Sequence, residues 1–275
     1  MKYSQQHAII TGGSSGIGKA VARLLIREGA NLTLVARDRD KLERVRQELE
    51  GDLSDLERQI NTIAADVSQL DSITAAIEGA IAALGPPDIL ITAAGIAHPG
   101  YFSDMALEIF QQTMAIDYFG SLYSVKAVVP SMIERQRGQI VLISSGAGLI
   151  GIYGYSAYCP AKFAVRGLAE SLRGELKPHG IGVTIVYPPD TDTPQLAAEN
   201  KIKPEATKQM TATAKTWSAT AVAEQILLAL ERGQFAIAPG LELTIIKRWH
   251  SLLAPIINWY FDRIVAKINN KKINR

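Results

Sequence analysis

Short runs rich in Ile, Val and Leu recur along this chain, and stretches with helical apolar spacing separate them. A strand that scarcely alternates apolar with polar residues has both faces buried, the condition of a parallel sheet covered by helices on both sides. Parallel neighbours also need a crossover of about a dozen residues or more, and each intervening stretch is long enough to be one. The pattern predicts strands near 7–11, 31–36, 61–65, 88–92, 139–144, 181–187 and 235–238. Helices are expected near 16–28, 38–58, 70–84, 103–114, 117–136, 156–177 and 219–231. The fold class is therefore α/β, a doubly wound seven-stranded parallel sheet. At 275 residues with 47% hydrophobic content, one large core fits the length.

The first strand-to-helix junction indicates what such a sheet holds. HAIIT at 7–11 runs into Gly12-Gly13-Ser14-Ser15-Gly16-Ile17-Gly18 and then into an amphipathic stretch. In that setting a glycine-rich turn lets backbone amides approach a pyrophosphate at a helix amino terminus. The spacing Gly-x-x-x-Gly-x-Gly differs from the common dinucleotide fingerprint, and a purely structural turn is the alternative. Arg37 follows the second strand, where a carboxylate would hold a ribose 2′-hydroxyl. With Ser14 and Arg39 nearby it suits a 2′-phosphate, which favours NADP(H) over NAD(H). Asp66 and Val67, after the third strand, are placed to meet the adenine edge, unless Asp66 caps the next helix.

A second stretch carries reactive side chains. The apolar run from Gln139 ends at Ser144-Ser145-Gly146, which puts a hydroxyl at the carboxyl end of a strand, where open α/β sheets bind ligands. Tyr158 comes 13 residues after Ser145, and Lys162 four after that, on one helix face. An ammonium beside a phenol favours tyrosinate and lowers a reference pKa of about 10, making Tyr158 a candidate proton donor. Ser145 would bond the same substrate oxygen. Serines end many strands and Tyr-x-x-x-Lys recurs by chance, so the pair alone is weak.

Several classes are excluded. A net charge of +2 gives no argument for nucleic acid. Cys159 is the only cysteine, which rules out an intramolecular disulfide and fits a reducing compartment. His7, His98, His179 and His250 are scattered without metal-ligand spacing, so no metal site is expected. The polar start MKYSQQ predicts neither a signal peptide nor an amino-terminal anchor, and a cytoplasmic location follows.

Together, TGGSSGIG at 11–18, the Asp66 segment, Ala93-Ala94-Gly95, Ser145, Tyr158 and Lys162 resemble the short-chain dehydrogenase/reductase family in order and spacing, over residues 5–240. The resemblance implies a Rossmann-type fold and hydride transfer between a nicotinamide and a carbonyl/alcohol pair. It implies Tyr158 as general acid in reduction and Ser145 as the group that orients the carbonyl. Lys162 would hold the nicotinamide ribose and lower the Tyr158 pKa. The family's catalytic asparagine aligns with Asp117, a departure that bears on rate. Its Asn-Ala-Gly is Ala93-Ala94-Gly95 here, in which Ala94 and Gly95 still admit the cofactor closely.

LVAR at 34–37, DVSQ at 66–69, KFAVRGLAESL at 162–172 and YPPDTDTP at 187–194, with Ala198-Glu199-Asn200, are similar to the 3-ketodihydrosphingosine reductases within that family. That similarity implies a long-chain 3-oxo sphingoid base reduced to sphinganine, with NADPH, which Arg37 favours, as the reductant. Pro188, Thr191 and Thr193 join the cofactor set, and the segment to Thr216 is either a lid or an exposed helical excursion. The alternatives are a reductase of another ketone, a 3-oxoacyl thioester or a steroid, and a non-catalytic NADP-binding protein. Tyr153, Tyr155 and Phe163 line an acyl pocket or simply pack. Helices 117–136 and 156–177 supply a homo-oligomer interface or only the core.

Beyond a catalytic domain at 1–240, residues 241–275 read as an amphipathic helical extension. Trp249, Leu252, Leu253, Ile256, Ile257, Tyr260, Phe261, Ile264, Val265 and Ile268 form one stripe, broken in principle at Pro255, with Lys267, Lys271, Lys272 and Arg275 after it. The longest uncharged run, Trp249 to Phe261, has 13 residues, short of the roughly 20 that span a bilayer. The expectation is a helix lying in the interface of a membrane's cytoplasmic face through 246–268; packing on the domain or a partner subunit is the alternative.

Overall fold

The structure is a computed structural model that describes residues 1–52, 58–212 and 215–273, with side chains to residue 268. Its central sheet has seven parallel strands: β1 (His7–Thr11), β2 (Asn31–Ala36), β3 (Ile60–Ala64), β4 (Ile89–Thr92), β5 (Gly138–Ile143), β6 (Ile181–Val186) and β9 (Ala236–Ile237). They lie in the order β3-β2-β1-β4-β5-β6-β9. A pair of two-residue strands, β7 (Thr191–Asp192) and β8 (Trp217–Ser218), stands apart.

Successive residues of the central strands feed two different cores. Ile9, Leu90, Ile140 and Leu142 face one side, where α3 (Leu70–Leu84), α5 (Gly120–Glu134) and α6 (Tyr158–Leu176) add Ile73, Ile77, Val125, Val128 and Val165. Ile10, Ile89, Ile91 and Val141 face the other, covered by Leu25 and Ile26 of α1 (Gly16–Arg27), Leu42 and Val45 of α2 (Arg39–Gly51), and Val222 and Ile226 of α9 (Ala219–Glu231). Double burial explains why these strands lack alternation. The order reverses between β1 and β4, and that switch point opens a crevice at the strands' carboxyl ends.

Several boundaries differ from expectation. The predicted 38–58 helix stops at Gly51, and its last predicted turn lies outside the described residues, as do the side chains of Lys271, Lys272 and Arg275. The predicted 103–114 helix starts only at α4 (Leu107–Thr113), after a 3-10 turn at Phe102–Asp104. It then continues into α5 through a π-helical segment, Met114–Phe119, so the two predicted helices are one rod with a bulge. Two short helices follow β6, α7 (Pro194–Ile202) and α8 (Glu205–Thr211), in the segment read as lid or excursion.

The carboxyl-terminal helix α10 (Leu241–Ile273) is present, but its break is not at Pro255. Trp249 leaves helical dihedrals (φ −127°, ψ 15°), whereas the chain stays helical through the proline. Pro255 forfeits one hydrogen bond, and an exposed helix can bend away from the ring without disturbing a core.

Candidate active site

One cavity of about 760 Å³ occupies the switch-point crevice. Its floor is the turn after β1. Gly12 has φ +72°, and a Cβ there would lie 2.6 Å from the backbone carbon of Ala93, so the turns after β1 and β4 touch backbone to backbone. Gly18 does not reach the cavity; a Cβ on it would sit 2.4 Å from the Gly12 carbonyl oxygen, so its role is to let α1 close on the turn. Gly12, Ser14, Ser15, Gly16 and Ile17 form the wall. Ser15 precedes α1 without a side-chain cap, which leaves first-turn amides free to meet an anion.

Arg37, exposed at the end of β2, borders the same cavity near Ser14. Arg39, expected beside it, does not; Lys41 and Lys19 take that place. Lys41 Nζ is also 3.4 Å from Asp38 Oδ2. Asp66 and Val67 border the cavity after β3, and Asp66 meanwhile accepts bonds from the Ser68 amide at 2.9 Å and hydroxyl at 2.8 Å. Asp66 therefore closes the turn just before α3 rather than capping that helix, and it stands on the cavity wall as well. Ala94, Gly95, Pro188, Thr191 and Thr193 complete this side. The two threonine hydroxyls have local partners: Thr191 donates to the Pro189 carbonyl at 2.8 Å, and Thr193 accepts from the Leu196 amide at 3.2 Å as the cap of α7.

Ser145, Tyr158 and Lys162 converge at the far end of the cavity. The Ser144 hydroxyl bonds the Lys162 carbonyl at 2.9 Å and pins α6 to the end of β5. Lys162, itself buried, donates to the Ile143 carbonyl at 3.2 Å, and its Nζ lies 5.4 Å from the centre of the Tyr158 ring. Asp117 sits behind it, fully buried and off the cavity wall. Its Oδ1 accepts the Ile96 amide at 2.8 Å, while Oδ2 faces Lys162 Nζ at 3.2 Å as an ion-pair contact without a directed hydrogen bond. Asp117 belongs to the π-helical segment, a geometry that often marks functional positions.

The electrostatics correct one expectation. Tyr158 is held well above the ordinary phenol value, first by burial, then by the Asp117 and Glu199 carboxylates, with a Ser145 hydrogen bond opposing. Lys162 faces Asp117 at 3.2 Å, so the ammonium's pull on the phenol is opposed by the carboxylate beside it, and the net direction is upward. Burial also raises the Asp117 carboxyl, against the pull of Lys162 and the Ile96 amide.

Of the three aromatic candidates only Tyr155 borders the cavity; Tyr153 and Phe163 are exposed and do not. Sequence reading gave no individual role to the group around Tyr155. Its hydroxyl donates to Glu199 Oε2 at 2.6 Å, Gln195 donates to Oε1 at 3.0 Å, and buried Lys203 lies 3.7 Å from Asp190 Oδ2. Tyr155 lies three residues before Tyr158 and Glu199 on a separate helix, so no local pattern joins them.

The short chain dehydrogenase family profile matches residues 6–204. A 3-ketodihydrosphingosine reductase of Bos taurus is 42% identical over 235 residues, which cover 85% of this chain and 71% of that one. One of Dictyostelium discoideum is 40% identical over 281 residues, covering 97% and 84%. A Burkholderia phymatum short chain dehydrogenase/reductase, solved in complex with NAD, superposes with a TM-score of 0.82 at 22% identity, over 93% of this chain and 96% of that one. With the parallel sheet, the switch-point cavity and this match over most of its length, the chain belongs to the short-chain dehydrogenase family.

Proposed function

We propose that this protein reduces the 3-oxo group of 3-ketodihydrosphingosine to sphinganine with NADPH. The observation that carries the reading is the convergence of Ser145, Tyr158 and Lys162 on the switch-point cavity, in a chain 42% identical to a reductase named for that substrate. The donor set fits a dinucleotide: a glycine turn that admits only backbone contacts, an uncapped helix amino terminus, and Arg37 and Lys41 where a 2′-phosphate needs cations. When bound, the reduced nicotinamide supplies the hydride to the carbonyl carbon and is itself oxidised.

The chain's own groups do the rest. Ser145 donates a hydrogen bond that fixes the carbonyl oxygen. Tyr158 gives that oxygen its hydroxyl proton, so hydride and proton together convert the ketone to an alcohol. Lys162, anchored on the Ile143 carbonyl and Asp117, presents its remaining donor capacity to the ribose. The test is oxidation of NADPH and of NADH with 3-ketodihydrosphingosine, 3-oxoacyl thioesters and steroid ketones. Fastest turnover on the sphingoid ketone with NADPH is expected. Preference for another ketone would replace the substrate, and cofactor binding without turnover on any carbonyl would make this a non-catalytic NADP-binding protein.

The carboxyl-terminal helix is part of the same reading. Leu241, Ile245, Trp249, Leu252, Ile256, Trp259 and Tyr260 are exposed along α10, Leu252 by 71%, although Leu243 and Ile246 pack on the core. Leu243 also lies against Gly146, next to Ser145, so this helix starts at the active site. Among the described residues no helix is long and apolar enough to cross a membrane. We infer that α10 rests in the interface of a membrane's cytoplasmic face, with Arg248, Arg263 and Lys267 toward anionic headgroups, and brings the cavity to its lipid. Deleting 246–275 should abolish co-sedimentation with anionic vesicles; no binding by the intact chain would end this part of the proposal. Exposed Phe119, at the end of the π-helical segment, and exposed Phe163, on α6, are where a homo-oligomer would form, which light scattering reads directly.

A further inference from the structure

Helix α7 is built against the usual rule. Its one buried residue is Glu199, 7% exposed, while Ile202 on the same helix is 47% exposed. A buried carboxylate is costly unless paired, and a local rule broken without evident gain marks a functional position. Glu199 borders the cavity. Its two bonds, from Tyr155 and Gln195, are to neutral donors. A carboxylate offers about four acceptor positions, so two remain for a ligand.

The charges around it do not balance. On this side of Tyr158 the cavity is bordered by two carboxylates, Glu199 and Asp190, and among the described residues the one buried cation here, Lys203, is placed on Asp190. On the other side Asp117 and Lys162 pair one to one. One negative charge is left over, and it sits beside the reacting group: the Tyr155 and Tyr158 rings are 5.7 Å apart, and Tyr155 holds Glu199 at 2.6 Å.

We propose that Glu199 is a specificity residue that receives an ammonium group carried on the carbon next to the substrate's carbonyl. The inference rests on the reductase reading above, because the substrate named there is a 2-amino ketone. Tyr158 and Ser145 take the oxygen, and Glu199, one aromatic ring away, takes the neighbouring cation. Ketones that lack this amine, or carry it acylated, leave the carboxylate buried and half-satisfied, so they are rejected. Tyr155 and Gln195 act as positioning residues that fix the carboxylate.

The test is the ratio of kcat/KM for the amino ketone to that for the ketone of equal length without the amine. In the wild type this ratio should exceed about 10, the smallest difference a charge-assisted hydrogen bond supports. In Glu199→Gln it should fall to near one, chiefly through KM, with the NADPH dissociation constant unchanged. Tyr155→Phe, which keeps the charge but frees the carboxylate, should give an intermediate ratio. If Glu199→Gln does not fold, the wild type still decides: sphinganine should inhibit at least about tenfold more strongly than N-acetylsphinganine. Equal reduction of both ketones by the wild type, or an unaltered ratio in Glu199→Gln, would overturn this inference and leave the reductase reading intact. Reduction of neither ketone would instead remove that reading.

Discussion

The two ends of the cavity are made of different material. The end proposed for the cofactor is backbone: Gly12 against Ala93, Gly18 against Gly12, and the bare amino terminus of α1. The end proposed for the substrate is side chain, with Asp117, Lys162, Tyr158, Tyr155, Glu199, Asp190 and Lys203 arriving from the π-helical segment, α6, α7 and the loops around them. Close backbone approach is a steric demand that only glycine meets. Buried charges instead require partners from elsewhere in the chain, and each one shifts its neighbours. Damage at the first end should therefore be structural and damage at the second electrostatic.

The sharpest separation is Tyr158→Phe. The ring keeps its packing and the hydroxyl is lost, so turnover should fall by about 10²- to 10⁴-fold, while NADPH affinity, read by fluorescence titration, stays within about twofold. Substantial residual reduction would place the acid elsewhere and blur the division.

Gly12→Ala attacks the other end. A Cβ would meet the Ala93 backbone at 2.6 Å in a conformation with φ +72°, for which about 1–3 kcal/mol is a reasonable cost. The melting temperature should drop by about 2–4 °C per kcal/mol, and NADPH affinity should weaken with it. An alanine variant with wild-type stability and affinity would show that the turn is not sterically fixed.

The same division explains what could be read beforehand. The glycine turn is contiguous in sequence and its glycines have steric reasons, so nearly all of this wall of the cavity was legible. The exceptions were Gly18, which packs helix on turn, and Arg39, replaced by Lys41 further along the same helix. Strands were legible because both cores bury them. At the substrate end Ser145, Tyr158 and Lys162 were found through motif spacing, but the Tyr155–Glu199 pair joins residues 44 apart, and no local pattern announces it. The Tyr158 shift was misjudged for a related reason: Lys162 is four residues away, yet burial first and then the Asp117 carboxylate, both supplied by other elements, set the direction. Periodicity located α10 but not its break, because Trp249 leaves the helix for reasons that a proline rule does not contain.

Arg37→Asp probes a side chain at the backbone end. Charge-assisted bonds to a 2′-phosphate are worth about 10- to 100-fold, so the ratio of NADPH to NADH efficiency should fall by that amount. Lys41 and Lys19 remain on the wall, which sets the lower end of the range. A wild type that already prefers NADH, or an unchanged ratio in the variant, would remove Arg37 from cofactor choice.

Asp117→Asn should have the smallest effect and is the most direct probe of the charged end. Asp117 is the second cause, after burial, of the raised Tyr158 value, so replacing it with an amide frees Lys162 to favour tyrosinate. Tyr158 becomes a stronger acid. Reduction needs the protonated phenol, so the limb on which rate falls with rising pH should move to lower pH, and the rate near neutrality should rise by about two- to tenfold. Stability supplies an independent reading. The fold raises the Asp117 carboxyl, so between its unfolded and folded values the native state binds more protons than the unfolded state, and stability is lost as pH rises through that window. An amide at this position cannot titrate, so melts from about pH 4 to about pH 8 should show the variant gaining on the wild type as pH rises. A variant slower at every pH, with an unmoved rate profile, would falsify the electrostatic account. Asp117 would then act through its bonds to the Ile96 amide and Lys162, and the substrate end would resemble the cofactor end in depending on fixed geometry more than on charge.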